Sequence, residues 1–272
     1  MAPLRLLWHV GLTKDSAGRI NDAVGFWALL REYSALWATH STVDLRFLST
    51  TTSHFMYPYL AFVNGALIAE DIRACEAEGY SGAMLAPAID PALDECRSIV
   101  EMPVVGSLES AMALSQFVGR RVGILTLHPA YVTVISNNLA RYGLKDRLVG
   151  VHPIRFWEMP YEAINALLGG NPDAFVTGFR GAVSDLVEEG ADVLVGGCQW
   201  FGALLWHAKY DIESDLGVPF IDCAGAGLAM AEQLAILRRT VNFSKSHAKT
   251  SPFAPTPSEL AAGTHVTIER SV

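Results

Sequence analysis

Cysteine is scarce in this chain, and that scarcity excludes two function classes at the outset. The four thiols, Cys75, Cys96, Cys198 and Cys223, are scattered, with no CxxC pair and no His/Cys cluster at metal-ligand spacing. Neither a disulfide framework nor a bound metal is expected, and a reduced, cytoplasmic setting follows as the default. Basic residues are also in deficit: 20 Lys plus Arg stand against 28 Asp plus Glu, a formal net charge of −8. Without a global positive field the chain is not expected to gather nucleic acid or anionic lipid, and an anionic substrate must be held by local donors. No uninterrupted apolar run reaches the roughly 18 residues of a membrane span. The opening MAPLRLLWHVGLTKD has neither the longer apolar run nor the small-residue cleavage site of a signal peptide. No GxGxxG or Walker loop is present, so no nucleotide cofactor is expected.

What is present is alternation. Short apolar runs (RLLWHV, VDLRFL, SGAMLA, PVVG, RVGILTL, LVGVHPI, ADVLVGG and PFIDCA) are interleaved with helical patterns at 19–38, 64–79, 107–118, 130–142, 178–190 and 224–238. Strands interleaved with helices imply βαβ units and parallel sheets, hence an α/β fold. In GALIAEDIRACEAEG the residues Leu67, Ile68, Ile72, Ala74 and Cys75 fall near one helix face before a Gly stop, which makes Cys75 a core residue. The chain also repeats itself. Glu78 precedes Pro87 by nine residues, and Glu189 precedes Cys198 by nine. Downstream, MPVVGSLESAMAL at 102–114 parallels VPFIDCAGAGLAM at 218–230, each a Pro-led strand running into small residues and a helix. The repeat predicts two pseudo-twofold-related lobes, each a mostly parallel sheet flanked by helices. The first is assigned residues 1–105 with 218–272, including a Ser/Thr/Pro-rich tail after 242 that runs over the surface or against a neighbouring subunit; the second takes 106–217. Ligands of parallel sheets bind beyond the carboxyl ends of the strands, so Pro87 and Cys198 are expected to face each other across a cleft between the lobes.

The segments LAPAIDPALDECRSIVEMPVVG, RRVGILTLHPAYVTVISNNLARYGLKDR, EEGADVLVGGCQWFG, GVPFIDCAGAGLAMAE and SKSHAKTSPFAPTP, in this order and at these spacings, resemble the aspartate/glutamate/hydantoin racemase superfamily, its hydantoin racemase branch above all. The resemblance implies an enzyme that needs no metal, nucleotide or pyridoxal cofactor, acts on a small carboxylate or cyclic amide, and forms a homo-oligomer. It also implies two cysteines on opposite sides of the substrate's Cα, one a thiolate base and the other a thiol acid. The second is matched by Cys198; the first falls on Pro87, which has no proton to give or take. A single-cysteine pattern resembles that of the arylmalonate decarboxylases, whose Thr-Ser pair at the first position is here Pro87-Ala88.

Cys198 sits at a strand-to-helix turn, where free backbone N–H groups and the helix dipole favour a thiolate and also suit an oxyanion. Gly197 and Gln199 beside it are candidate backbone donors, and Trp200 a candidate pocket wall. Pro87 and Ala88 line the opposite side. Thr126, at the end of RVGILT, matches a place where the resemblance puts a hydroxyl near the substrate carboxylate. His9, near the end of the first strand, is a candidate proton relay. The loop STTTSHFMYPY offers Thr52, Ser53 and His54 as cover for the cleft, with His54 a second candidate base, and His128 opens the turn LHPAY. The leading expectation is a cofactor-independent lyase or isomerase in which Cys198 is acid or base at the carbon alpha to a carboxylate or cyclic amide carbonyl, the enolate-type intermediate being held by oxyanion donors. Two alternatives stand beside it. In one, Cys198 is a covalent nucleophile that isomerises or hydrolyses a small unsaturated acid or cyclic amide. In the other, the chain has become a non-catalytic ligand binder.

Overall fold

A computed structural model of the chain describes residues 3–14, 23–51, 55–256 and 258–260. In the first half the apolar runs become β1 (Leu4–His9), β2 (Ser41–Arg46), β3 (Gly82–Leu85) and β4 (Val104–Gly106). They are joined by α1 (Ala23–Trp37), α2 (Pro58–Ala77) and α3 (Leu93–Ile99), and α4 (Ser107–Val118) leads out. The second half builds β5 (Val122–Thr126), α5 (Pro129–Arg141), β6 (Ile154–Phe156), α6 (Tyr161–Leu168), α7 (Asp173–Glu188) and β7 (Val193–Gly196). It ends with α8 (Phe201–His207), α9 (Ile212–Leu216), β8 (Phe220–Asp222) and α10 (Cys223–Val241).

Both sheets are parallel, ordered β2-β1-β3-β4 and β6-β5-β7-β8, so the second half repeats the first strand for strand. The inner strands β3, β5 and β7 are buried along their whole length, whereas the edge strand β2 is nowhere fully buried. Helices covering both faces of a parallel sheet explain why the inner strands read as continuous apolar runs. The face predicted for α2 is buried at Ile68, Ile72 and Cys75.

Several boundaries differ from the sequence reading, α7 among them, which begins at Asp173 and not 178, and three differences have a plain physical reason. Helix α2 starts at Pro58 instead of 64, because proline at the first turn has the φ a helix needs and no N–H to lose there. Strand β6 begins only at Ile154, since Gly150 takes φ +62 and Pro153 cannot donate to a ladder; of the predicted run, Leu148 keeps a lone bridge to Val122. The third concerns the lobes. β8 pairs with β7, Gly196 opposite Asp222, so the second sheet retains the chain to Asp222 and not only to 217. From Cys223 onward α10 packs on β1, β3 and β4, while α4 lies in turn against β7 and β8. Each lobe thus contributes one helix to the other. Short α3, α6 and α9 were not foreseen, being too brief to show a helical period. The tail crosses the first lobe, where Lys245 donates to the carbonyl of Arg97 at 3.0 Å and pairs with Glu101 at 3.3 Å. No helix among the described residues is long and apolar enough to cross a membrane.

Candidate active site

Segments that follow the carboxyl ends of β1, β2, β3, β5, β6 and β7 converge on a cleft of about 430 Å³. Pro87, Ala88, Thr126, Gly197, Cys198, Gln199 and Trp200 all line it. Pro87 lies two residues beyond the end of β3 and Cys198 two residues beyond the end of β7, so the equal offsets in sequence become equivalent places in space. Leu12, Phe55, Ile89, Leu127, Tyr131 and Tyr161 complete the lining. The sequence reading passed over these six, although each follows the end of a strand, which is the signal that would have found them.

The Cys198 turn is held from both sides. Gly197 donates its N–H to the carbonyl of Leu125 at 2.7 Å, so this N–H is taken and Gly197 is not the backbone donor expected of it. The Thr126 hydroxyl donates to the carbonyl of Gly197 at 3.3 Å, which leaves its lone pairs, not its proton, for a ligand. Gln199 is buried, and its side chain is also committed: its Oε1 accepts from Trp8 Nε1 at 3.0 Å and its Nε2 donates to the carbonyl of Val10 at 3.2 Å. Both partners belong to the first lobe, so Gln199 ties the cysteine turn across the cleft. No acceptor among the described residues takes the backbone N–H of Cys198 or Gln199. Two such donors at a buried turn suit a substrate oxygen.

Cys198 is buried. Burial pushes its thiol up to about 12; the N–H of Trp200, 3.4 Å from Sγ, pulls the other way, and the Asp222 carboxylate adds to the rise. Desolvation thus outweighs the backbone donors and works against the thiolate expected from the turn. Burial, and then the neighbouring Cys198, also raises the Tyr131 phenol. The rate of Cys198 alkylation by iodoacetamide should climb about tenfold per pH unit between pH 7 and 10, as expected for a thiol far below its pKa. Mass mapping of the modified cysteine reads this out, and a plateau near neutral pH would contradict the assignment.

The histidines stand elsewhere. His9 is fully buried on β1, its Nε2 3.2 Å from Asp71 Oδ2, and is absent from the cleft lining. Burial raises the Asp71 carboxyl, but His9 and Arg46 hold it down at about 2. His128 caps α5, its Nδ1 accepting from Ala130 N–H at 3.1 Å, and packs on the cleft residue Tyr131 without lining the cleft itself. Thr52, Ser53 and His54 lie outside the described residues. No group of three or more His, Cys, Asp or Glu side chains among the described residues could hold a metal ion.

The Asp/Glu/Hydantoin racemase family model matches residues 61–231, more than half of the chain and both cleft walls. The chain belongs to this family. A hydantoin racemase of Pseudomonas sp. (strain NS671) is 26% identical over 181 residues, 66% of this chain and 68% of the relative. Among solved structures, the allantoin racemase from Klebsiella pneumoniae superposes with a TM-score of 0.71 over 93% of this chain and 94% of its own, at 19% identity. A double mutant of arylmalonate decarboxylase in the liganded form gives 0.55 over 86% and 93% at 14% identity. At these identities the two structures speak for the fold of this family member and not for its substrate.

Proposed function

We propose that this racemase-family chain is a cofactor-independent lyase or isomerase in which the Cys198 thiol delivers a proton to one face of a carbanion or enediolate, formed at the carbon alpha to a carboxylate or cyclic amide carbonyl. The observation that supports the reading is that one cleft is lined both by a buried thiol pushed up to about 12 and by Pro87, which has no proton to exchange. The intermediate's oxygen is received by the free N–H groups of Cys198 and Gln199. The thiol proton moves to carbon, and the thiolate left behind takes a proton from water. A site with one acid and no facing base suits a carbanion generated by breaking a bond other than Cα–H, as in loss of CO₂. The apolar wall of Leu12, Phe55, Pro87, Ala88 and Ile89 favours that departure by stripping water from a carboxylate.

Covalent attack by Cys198 is disfavoured by the raised thiol and by the placement of His9 and His128 outside the lining. The test is turnover of 2-substituted malonates and substituted hydantoins in deuterated water. We expect one deuterium at Cα, on a single face, with the intact mass of the protein unchanged. Deuterium on both faces, or a mass adduct on Cys198, would replace this reading with two-sided exchange or nucleophilic chemistry respectively.

A further inference from the structure

Two buried carboxyl groups, Asp90 after β3 and Asp222 at the end of β8, transfer no proton in the chemistry above, and each accepts a hydrogen bond from a tyrosine of the other half. Asp90, three residues beyond Pro87, accepts from the N–H groups of Leu108 at 3.0 Å and Glu109 at 2.9 Å, and from the Tyr142 hydroxyl at 2.8 Å. Asp222, at the end of β8, accepts from the N–H groups of Gly225 at 2.6 Å and Gly202 at 3.3 Å, and from the Tyr33 hydroxyl at 3.2 Å. Tyr33 lies on α1, which follows β1, and Tyr142 caps α5, which follows β5, so the two tyrosines come from corresponding helices of the repeat. Each reaches into the other half: Tyr33 from the first to the second, Tyr142 from the second to the first.

The correspondence extends to the backbone. Gly106 ends β4 as Asp222 ends β8, and a Cβ added at Gly106 would lie 2.4 Å from the Asp90 carboxyl carbon. The Asp90 carboxyl therefore occupies the space that a side chain in the place of Asp222 would fill, and bonds the first turn of α4 as Asp222 bonds that of α10. On the other wall, a Cβ at Gly202 would fall 2.2 Å from the Asp222 carboxyl carbon and 2.4 Å from the Tyr33 oxygen. Gly202 sits in the first turn of α8, four residues beyond Cys198. Burial pushes both carboxyls up to about 6 despite the bonds that lower them. The arrangement is thus held at an electrostatic cost, and it is held twice.

We infer that the Tyr142–Asp90 and Tyr33–Asp222 bonds are paired latches between the lobes that position the two walls of the cleft, the first holding the Pro87 loop and the second the Cys198 turn. Asn138 supports the first latch by donating to the carbonyl of Ile89 at 2.6 Å, and the Gln199 bonds to Trp8 and Val10 support the second. Tyr33, Tyr142, Asp90 and Asp222 are positioning residues under this inference. Their effect on turnover rests on the proposed role of Cys198; the closure itself does not.

Thiol accessibility tests the closure without a substrate. Tyr142→Phe and Tyr33→Phe each remove one hydroxyl and keep the ring. At fixed pH, alkylation of Cys198 by iodoacetamide should quicken about tenfold in each, the population change expected from losing one buried hydrogen bond, while Cys75 in the first-lobe core stays as slow as in wild type. An unchanged Cys198, a response in only one variant, or a rise of Cys75 in step with Cys198 would overturn the inference, the last because it reports general loosening. With a substrate in hand, kcat should fall roughly 10-fold to 100-fold with a smaller change in KM, as for a misplaced reacting group. If the variants expose Cys198 but Cys198→Ser leaves turnover intact, the latches stand and the proposed chemistry falls.

Discussion

Cys198→Ser should lower turnover by about 10³-fold, within the range for loss of a positioned general acid, because a serine hydroxyl in the same buried turn is a far weaker acid than the thiol. Cys75→Ala, Cys96→Ala and Cys223→Ala should retain most of wild-type kcat. All four cysteines are buried and free, so burial alone does not single out one of them. Position does: only Cys198 lines the cleft. Cys75 lies inside α2, Cys96 inside α3, and Cys223 at the first turn of α10. Each of the three substitutions costs stability through the space it leaves, so thermal melts must accompany the kinetics to separate lost fold from lost chemistry. Loss of turnover in a well-folded Cys96→Ala protein, equal to that of Cys198→Ser, would contradict the assignment of the site.

The second large effect is a gain. Pro87→Cys would set a thiol at the end of β3, in the place that Cys198 occupies after β7, and so convert one-sided proton delivery into two-sided exchange. Wild type should leave the configuration of a chiral product intact. The variant should exchange the Cα proton with solvent and racemise the product slowly, and even a part of the roughly 10²-fold to 10⁴-fold contribution of a placed base would stand above the wild-type blank. The wall can accept the change, since proline has no N–H to lose and its carbonyl, which accepts from Asp90 N–H at 2.9 Å, remains. Apolar surroundings on that side will keep the new thiol protonated, as burial does for Cys198, and this sets the expectation of slow rather than rapid racemisation. A folded variant that binds product yet shows no deuterium at Cα would mean that the two positions do not address opposite faces.

How much of this was legible beforehand depends on the range of the interactions involved. The strands were visible because a parallel sheet covered on both faces makes its inner strands apolar without interruption, as in β3, β5 and β7. The cleft walls at Pro87 and Cys198 were visible because a repeat carries equal offsets from strand to turn. His9 and His128 were chosen as proton carriers at a strand end and a helix entry, but position along the chain does not fix where a side chain points, and the structure puts one against Asp71 and the other at the cap of α5.

The sequence by itself therefore determined the α/β class, the doubled architecture and the two residues that meet in the cleft, since these follow from local periodicity and from spacing within each half. Only the tertiary structure decided that the Cys198 thiol is pushed upward, because that shift depends on the enclosure made by both lobes and on Asp222 at the end of another strand. It also decided where the polar groups of the lobe interface go. Tyr33 and Asp222 are 189 residues apart and Trp8 and Gln199 are 191 apart, and no pattern along the chain marks such partners. Hydrogen-bond geometry across a packed interface exists only once both surfaces have formed, which is why these bonds, and the cleft they border, exist only in the folded chain.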